Sequence, residues 1–131
     1  MIVVDTNILS TFACVNRLEL LFQVAERDTL YLPPAVFNEL NEGLSRGKTY
    51  LQPLLDKIQT DTTFKLVALT ANEGRFMSTL PDQLHTGEKE AIALCALRDE
   101  SVLLTNDKRA YRYCKANLIV SLDLKNILRR L

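Results

Sequence analysis

Ile2-Val3-Val4-Asp5-Thr6-Asn7-Ile8-Leu9 stands at the head of the chain: three β-branched residues, a carboxylate, then residues that open a helix. A short apolar β-branched run suits a strand buried on both faces, as in a parallel sheet. Asp5-Thr6-Asn7 supplies capping side chains for the helix that begins near Ile8-Leu9. The same order returns late in the chain, where Ser101-Val102-Leu103-Leu104-Thr105 leads through Asn106 to Asp107 and a helix over Lys108 to Ala116. Two further acids stand near helix starts, Glu39 in Val36-Phe37-Asn38-Glu39-Leu40 and Glu88 in Gly87-Glu88-Lys89-Glu90-Ala91-Ile92. An open α/β sheet places its active site outside the carboxyl ends of its strands. Carboxylates gathered there need their charge offset, and a hard cation such as Mg²⁺ does so. The pattern points to metal-dependent phosphodiester chemistry.

Between those two stretches, strands and helices alternate. Leu18, Leu21, Phe22 and Ala25 follow helical spacing, Thr29 to Leu32 reads as a second strand, and Pro33-Pro34 ends it and starts the next helix. That helix aligns Val36, Leu40 and Leu44, and Gly43 and Gly47 bracket its end. A helix is expected over Thr49 to Gln59, a third strand over Phe64 to Leu69 and a helix over residues 71 to 80, ended by Pro81. Glu88 to Arg98 is apolar almost all round and belongs deep in the molecule. Leu118 to Val120 is expected as a fifth strand, and Asp123 as the cap of a last helix with Leu124, Ile127, Leu128 and Leu131 on one face. Alternation of this kind implies one α/β domain over residues 1–131, a parallel sheet covered on both sides with right-handed crossovers.

Composition excludes several classes. Hydrophobic residues make up 47% and charged residues 24% of the 131, as in an ordinary globular domain. No run approaches the roughly 18 apolar residues of a membrane span. The N-terminus lacks a basic n-region, so neither membrane insertion nor a signal peptide is expected. Three cysteines without CxxC spacing suit a reducing cytoplasm, with Cys14 and Cys95 as small buried hydrophobes. One histidine, His85, rules out HExxH and Cys/His zinc sets, and its place before Thr86-Gly87 reads as a loop. Net charge is zero, so attraction to nucleic acid must come from local patches.

Each acid also has a plain structural reading. Asp5 and Asp107 suit helix caps, with Asn106 competing for the second cap. Glu39 suits a solvated helix surface. Glu88 and Glu90 suit a first helical turn, where the macrodipole favours acids. Two residues apart on a helix, they point about 200° from each other, so one of them at most faces a given pocket. Glu88 shares a face with Ile92, Cys95 and Ala96 and is the choice for the site.

Taken in order, Val3-Val4-Asp5-Thr6-Asn7-Ile8-Leu9, Val36-x-x-Glu39-Leu40, Gly87-Glu88-x-Glu90-Ala91-Ile92-Ala93-Leu94 and Leu103-Leu104-Thr105-Asn106-Asp107 resemble the signature of PIN-domain proteins. The likeness extends over nearly the whole chain and is to VapC-like toxins of VapBC pairs and related prokaryotic PIN ribonucleases. It implies a three-layer α/β/α sandwich with a central parallel sheet, an acidic pocket for Mg²⁺ or Mn²⁺, and endoribonuclease activity. Carried over, Asp5, Glu39, Glu88 and Asp107 are the metal-binding and catalytic acids, with Thr6, Asn7, Thr105 and Asn106 in support. Two glutamates occupy the region of the third acid, so Glu90 is the alternative ligand there. A cognate antitoxin and a homodimer are the implied protein partners, the dimer through apolar faces at Leu18, Leu21 and Phe22.

An acidic pocket repels RNA, so cations must stand nearby. Lys108, Arg109, Arg112 and Lys115 follow Asp107 directly and are the RNA-binding candidates, with Tyr111 or Tyr113 read as packed on the sheet. Arg46 and Lys48 form a second patch. The competing reading is a PIN-like binding or scaffolding module without hydrolysis. A phosphoacceptor receiver domain needs an adjacent acidic pair after its first strand and an acceptor Asp after its third; a haloacid-dehalogenase-like phosphatase needs an Asp where Asn7 stands. Neither requirement is met.

Overall fold

The computed structural model describes residues 1–26, 29–60 and 62–131. Five parallel strands form one sheet: β1 (Ile2–Val4), β2 (Leu30–Leu32), β3 (Phe64–Leu66), β4 (Val102–Leu104) and β5 (Ser121–Leu122), in the order β3-β2-β1-β4-β5. Among the described residues eight helices cover it: α1 (Thr6–Cys14), α2 (Glu19–Val24), α3 (Pro34–Ser45), α4 (Gln52–Thr60), α5 (Ala71–Met77), α6 (Thr86–Leu97), α7 (Lys108–Ala116) and α8 (Leu124–Arg129).

Strand side chains alternate between faces, and two apolar clusters result. Val4, Leu30, Leu32, Phe64 and Leu104 join residues of α1 to α4 and α8 on one face. Val3 and Leu103 join Leu80, Leu84 and residues of α6 and α7 on the other. The molecule is the expected three-layer α/β/α sandwich. From β1 the chain first works outward through β2 and β3, then crosses back to lay β4 on the opposite side of β1. The order therefore reverses between β1 and β4, where open α/β sheets form a crevice.

Several expectations are corrected. The fifth strand is Ser121–Leu122, not Leu118 to Val120. After α7 the chain turns through Leu118 in a left-handed conformation (φ 58°), and the Ile119 N–H closes the helix end on the Cys114 carbonyl. Sheet pairing resumes only at the Val120 carbonyl, which leaves Leu118 95% exposed. The strand expected over Phe64 to Leu69 stops at Leu66, and the helix expected from Thr49 begins as a 3₁₀ turn over Thr49–Leu51. Leu18 and Leu21 point into the core and Phe22 packs edge-on against Phe64 at 5.1 Å. Leu18 and Leu21 are therefore spent on the core, and Phe22 is the one of the three that stays partly exposed. Leu128 and Leu131 are about half exposed, and Ile127 alone is fully seated in the last helix. Cys14 is exposed, whereas Cys95 and Cys114 are the buried pair. Among the described residues, no helix is long and apolar enough to cross a membrane.

Candidate active site

The β1–β4 pairing brings the first and last acids together. Val4 lies beside Leu104, and the Asp5 N–H donates to the Leu104 carbonyl at 2.9 Å. One residue past each strand, Asp5 Oδ2 accepts from the Thr105 hydroxyl at 2.9 Å. Thr105 is fully buried, and its Oγ1 also accepts the Asp107 N–H at 3.2 Å. Thr105 therefore links the backbone at one acid to the carboxylate of another. Asp5 and Asp107 also cap their helices, Asp5 Oδ1 taking the Thr6 N–H at 2.7 Å and Asp107 Oδ1 the Ala110 N–H at 2.9 Å. Asp107, not Asn106, is the cap of α7, and Asn106 is exposed. Capping and clustering are thus both true of these residues.

The glutamates arrive on helices from opposite faces of the sheet. Glu39, in the middle of α3, accepts from the Thr6 hydroxyl at 2.5 Å and lies across the Cα of Gly87. A Cβ at Gly87 would stand 2.5 Å from Glu39 Oε1, closer than side chains tolerate. Glu88 Oε1 accepts the His85 N–H at 2.8 Å, fastening the first turn of α6. Its Oε2 is buried and faces no donor among the described residues. The carboxyl of another acid, Asp107, is close enough to act on that of Glu88. Two carboxylates cannot share that contact without a proton or a cation between them.

The electrostatics follow. Burial pushes Glu88 up to about 8, helped by Asp107 and Asp5 and opposed by the His85 N–H. Burial also raises Asp5 to about 6; the Thr105 and Thr6 bonds oppose this, and the charges of Glu39 and Asp107 add to it. For Asp107 burial works the other way from the outcome: the Ala110 N–H, a proton from Glu88 and the Arg109 charge hold its carboxyl below the usual range. Asp5, Glu88 and Asp107 therefore feel one another across the β1–β4 crevice, and the Glu39 charge acts on Asp5.

No three acidic, sulfur or imidazole side chains among the described residues stand in direct-ligand geometry around one point. Asp5 is engaged by Thr6 and Thr105, and Glu39 by Thr6. Mg²⁺ takes only one or two direct carboxylates and keeps several waters, so this arrangement suits an ion held partly through water. The unpartnered, buried Glu88 Oε2 fits such an ion as well.

Glu90 is turned away from this pocket. Its Oε1 accepts the Ala35 N–H at 2.8 Å at the start of α3, where Pro33 offers no capping side chain. Asn7 is exposed on the first turn of α1. Lys108 and Arg109 lie in the first turn of α7, beside Asp107, and Arg109 reaches the Gln83 carbonyl at 3.3 Å. Arg112 is exposed one turn farther on. Lys115 sits at the far end, bound to the Ser121 carbonyl at 3.2 Å and lying over the Tyr111 ring at 4.9 Å. Tyr113 packs on the second cluster, and the Tyr111 hydroxyl donates to Asn126 Oδ1 at 3.3 Å.

Residue-by-residue reasoning missed the part played by Gly87. A glycine in the first turn of a helix, where other residues serve as well, is itself a sign of close approach. It also passed over Asn38 and Glu42, which line a groove beside Glu39; exposed polar residues on a helix carry no sequence signal of that kind.

The family model described as DUF3368, PIN domain, matches residues 1–122. Among 13 solved chains that resemble this one is a chain in the crystal structure of VapBC2 from Rickettsia felis bound to a DNA fragment from their promoter. It superposes with a TM-score of 0.63 at 19% identity, over 94% of this chain and 98% of that one. At that identity the likeness speaks for the fold. No protein of curated function matches the chain in sequence.

Proposed function

The chain belongs to the PIN-domain family DUF3368, and from that premise we propose that it is a divalent-metal-dependent endoribonuclease. Asp5, Glu39, Glu88 and Asp107 hold Mg²⁺ or Mn²⁺, with Asp5 and Asp107 nearest and the glutamates binding directly or through water. Bound there, the ion supplies an acidified water and offsets charge on the phosphate.

The chain's own residues do the rest. Thr6 and Thr105 orient the Glu39 and Asp5 carboxylates. Glu88 loses its proton to solvent once the negative charge of the pocket is offset. Glu39 or Glu88 then orients the attacking water as general base. Asn7 offers a neutral amide beside the scissile phosphate, and Lys108, Arg109 and Arg112 take neighbouring phosphates. The supporting observation is the buried, donorless Glu88 oxygen set against Asp107 at the reversal point of the sheet.

The fold shared with a chain of a VapBC pair supports a narrower proposal, that this chain is the toxin half of such a pair and is held by a small antitoxin. Titration calorimetry with Mn²⁺, run beside cleavage of an unstructured RNA, tests the main reading. The native chain is expected to bind the ion and cut, and Asp5→Asn to do neither. A native chain that takes up no divalent ion is a binding module, and the nuclease reading is then wrong.

A further inference from the structure

Beside Glu39 a groove of about 500 Å³ runs between the first half of α3 and the start of α6, lined by Ala35, Asn38, Glu39, Glu42, His85 and Thr86. Ala35, Asn38 and Glu42 fall on one stripe of α3 by helical spacing. Asn38, Glu42 and His85 are exposed. The side chains of Asn38 and Glu42 have no hydrogen-bond partner among the described residues.

The lining holds no Lys or Arg, so the groove does not suit a phosphate. It offers an aromatic ring, an amide that both donates and accepts, and a carboxylate that only accepts. That set matches a nucleobase, stacked on the imidazole and read along its edge. We propose that the groove is a base-binding subsite for the nucleotide flanking the scissile phosphate, and that guanine is the base it prefers. Guanine alone presents two adjacent donors, N1–H and N2–H, to the two oxygens of Glu42, with O6 beside them for the Asn38 amide.

The inference rests on the ribonuclease reading, since Glu39 belongs to both sites. It also gives the strand a direction of lie. The cations of α7 stand on the β4–β5 flank of the crevice and the groove on the α3 flank, so phosphates cross one side while a base drops into the other.

His85 is the chain's only histidine, so a sample labelled with ¹³C at histidine Cε1 gives a single imidazole resonance. With Mg²⁺ present, GMP is expected to shift that resonance saturably, AMP, CMP and UMP to shift it less, and ribose 5-phosphate to leave it in place. Glu42→Gln, a surface change that leaves the fold intact, is expected to weaken the GMP response about tenfold. An imidazole unmoved by every nucleotide, or moved as far by ribose 5-phosphate, overturns the subsite. RNA cleavage by the same preparation reports separately on the nuclease: cutting with an unmoved imidazole removes only the subsite. A GMP response without cutting removes the nuclease and leaves a base-binding groove.

Discussion

Gly87 is the residue at which backbone and chemistry meet. The Glu39 carboxylate occupies the space a β-carbon would need, and the atoms in the way are the far end of a flexible side chain. Gly87→Ala is therefore expected to fold while displacing Glu39 from Thr6. The expected outcome is a roughly tenfold loss of Mn²⁺ affinity with little change in Tm, as when a ligand loses its orienting neighbour. Unaltered affinity by calorimetry would separate Glu39 from the metal site. At Glu88 and Asp5 the consequence is pH dependence. In the metal-free protein both carry protons well above their ordinary values of 4.5 and 3.8, Glu88 to about 8 and Asp5 to about 6, chiefly because they are buried. The folded chain then binds more protons than the unfolded one across that window. The stabilising contribution is complete below the ordinary carboxyl range and is lost as pH rises through 6 and then 8. Thermal melts without metal are expected to show Tm falling over this range. Glu88→Gln should flatten the upper part of the fall and raise Tm at pH 8 by about 5 °C. A variant melting like the native chain at pH 8 would mean Glu88 ionises normally.

At the scale of elements, α3 is hung from its neighbours by two carboxylates that point opposite ways. Glu39 reaches across to α1 and α6, and Glu90 reaches back from α6 to cap the α3 start. Glu90→Ala strips the Ala35 N–H of its acceptor at a helix end that has no other cap, and should cost about 1 kcal/mol in chemical denaturation. Glu90→Gln keeps an accepting oxygen and is expected to recover most of that loss, with Mn²⁺ affinity unchanged in calorimetry. A large fall in affinity for Glu90→Gln would make Glu90 a ligand after all. The start of α7 serves in a comparable double way, because the Asp107 cap that begins the helix also places Lys108 and Arg109 beside the acids.

For the molecule as a whole, zero net charge means that any grip on RNA is local. Three cations around the α7 start predict a shallow salt dependence, with a log–log slope of about −2 for a single strand. Lys108→Ala and Arg112→Ala should each reduce the slope by about 0.7, read by fluorescence anisotropy with the Asp5→Asn chain. A slope indifferent to both changes would move the RNA path elsewhere, with Arg46 and Lys48 the next patch to test.

Local chemistry was enough to read the alternation of strands and helices, the caps Asp5, Asp107 and Asp123, and the sandwich they imply, because burial on two faces and capping leave their mark within a few residues. Element ends were less legible. The left-handed turn at Leu118 and the shortening of β3 depend on where neighbouring strands run out of partners. The four acids could be nominated one by one, yet each had an equally good local reason to be where it is. Helix periodicity preferred Glu88 to Glu90, but only the tertiary contacts commit Glu90 to the Ala35 N–H and set Glu39 against Gly87. Those contacts join residues tens of positions apart, and no short-range preference of the chain encodes them.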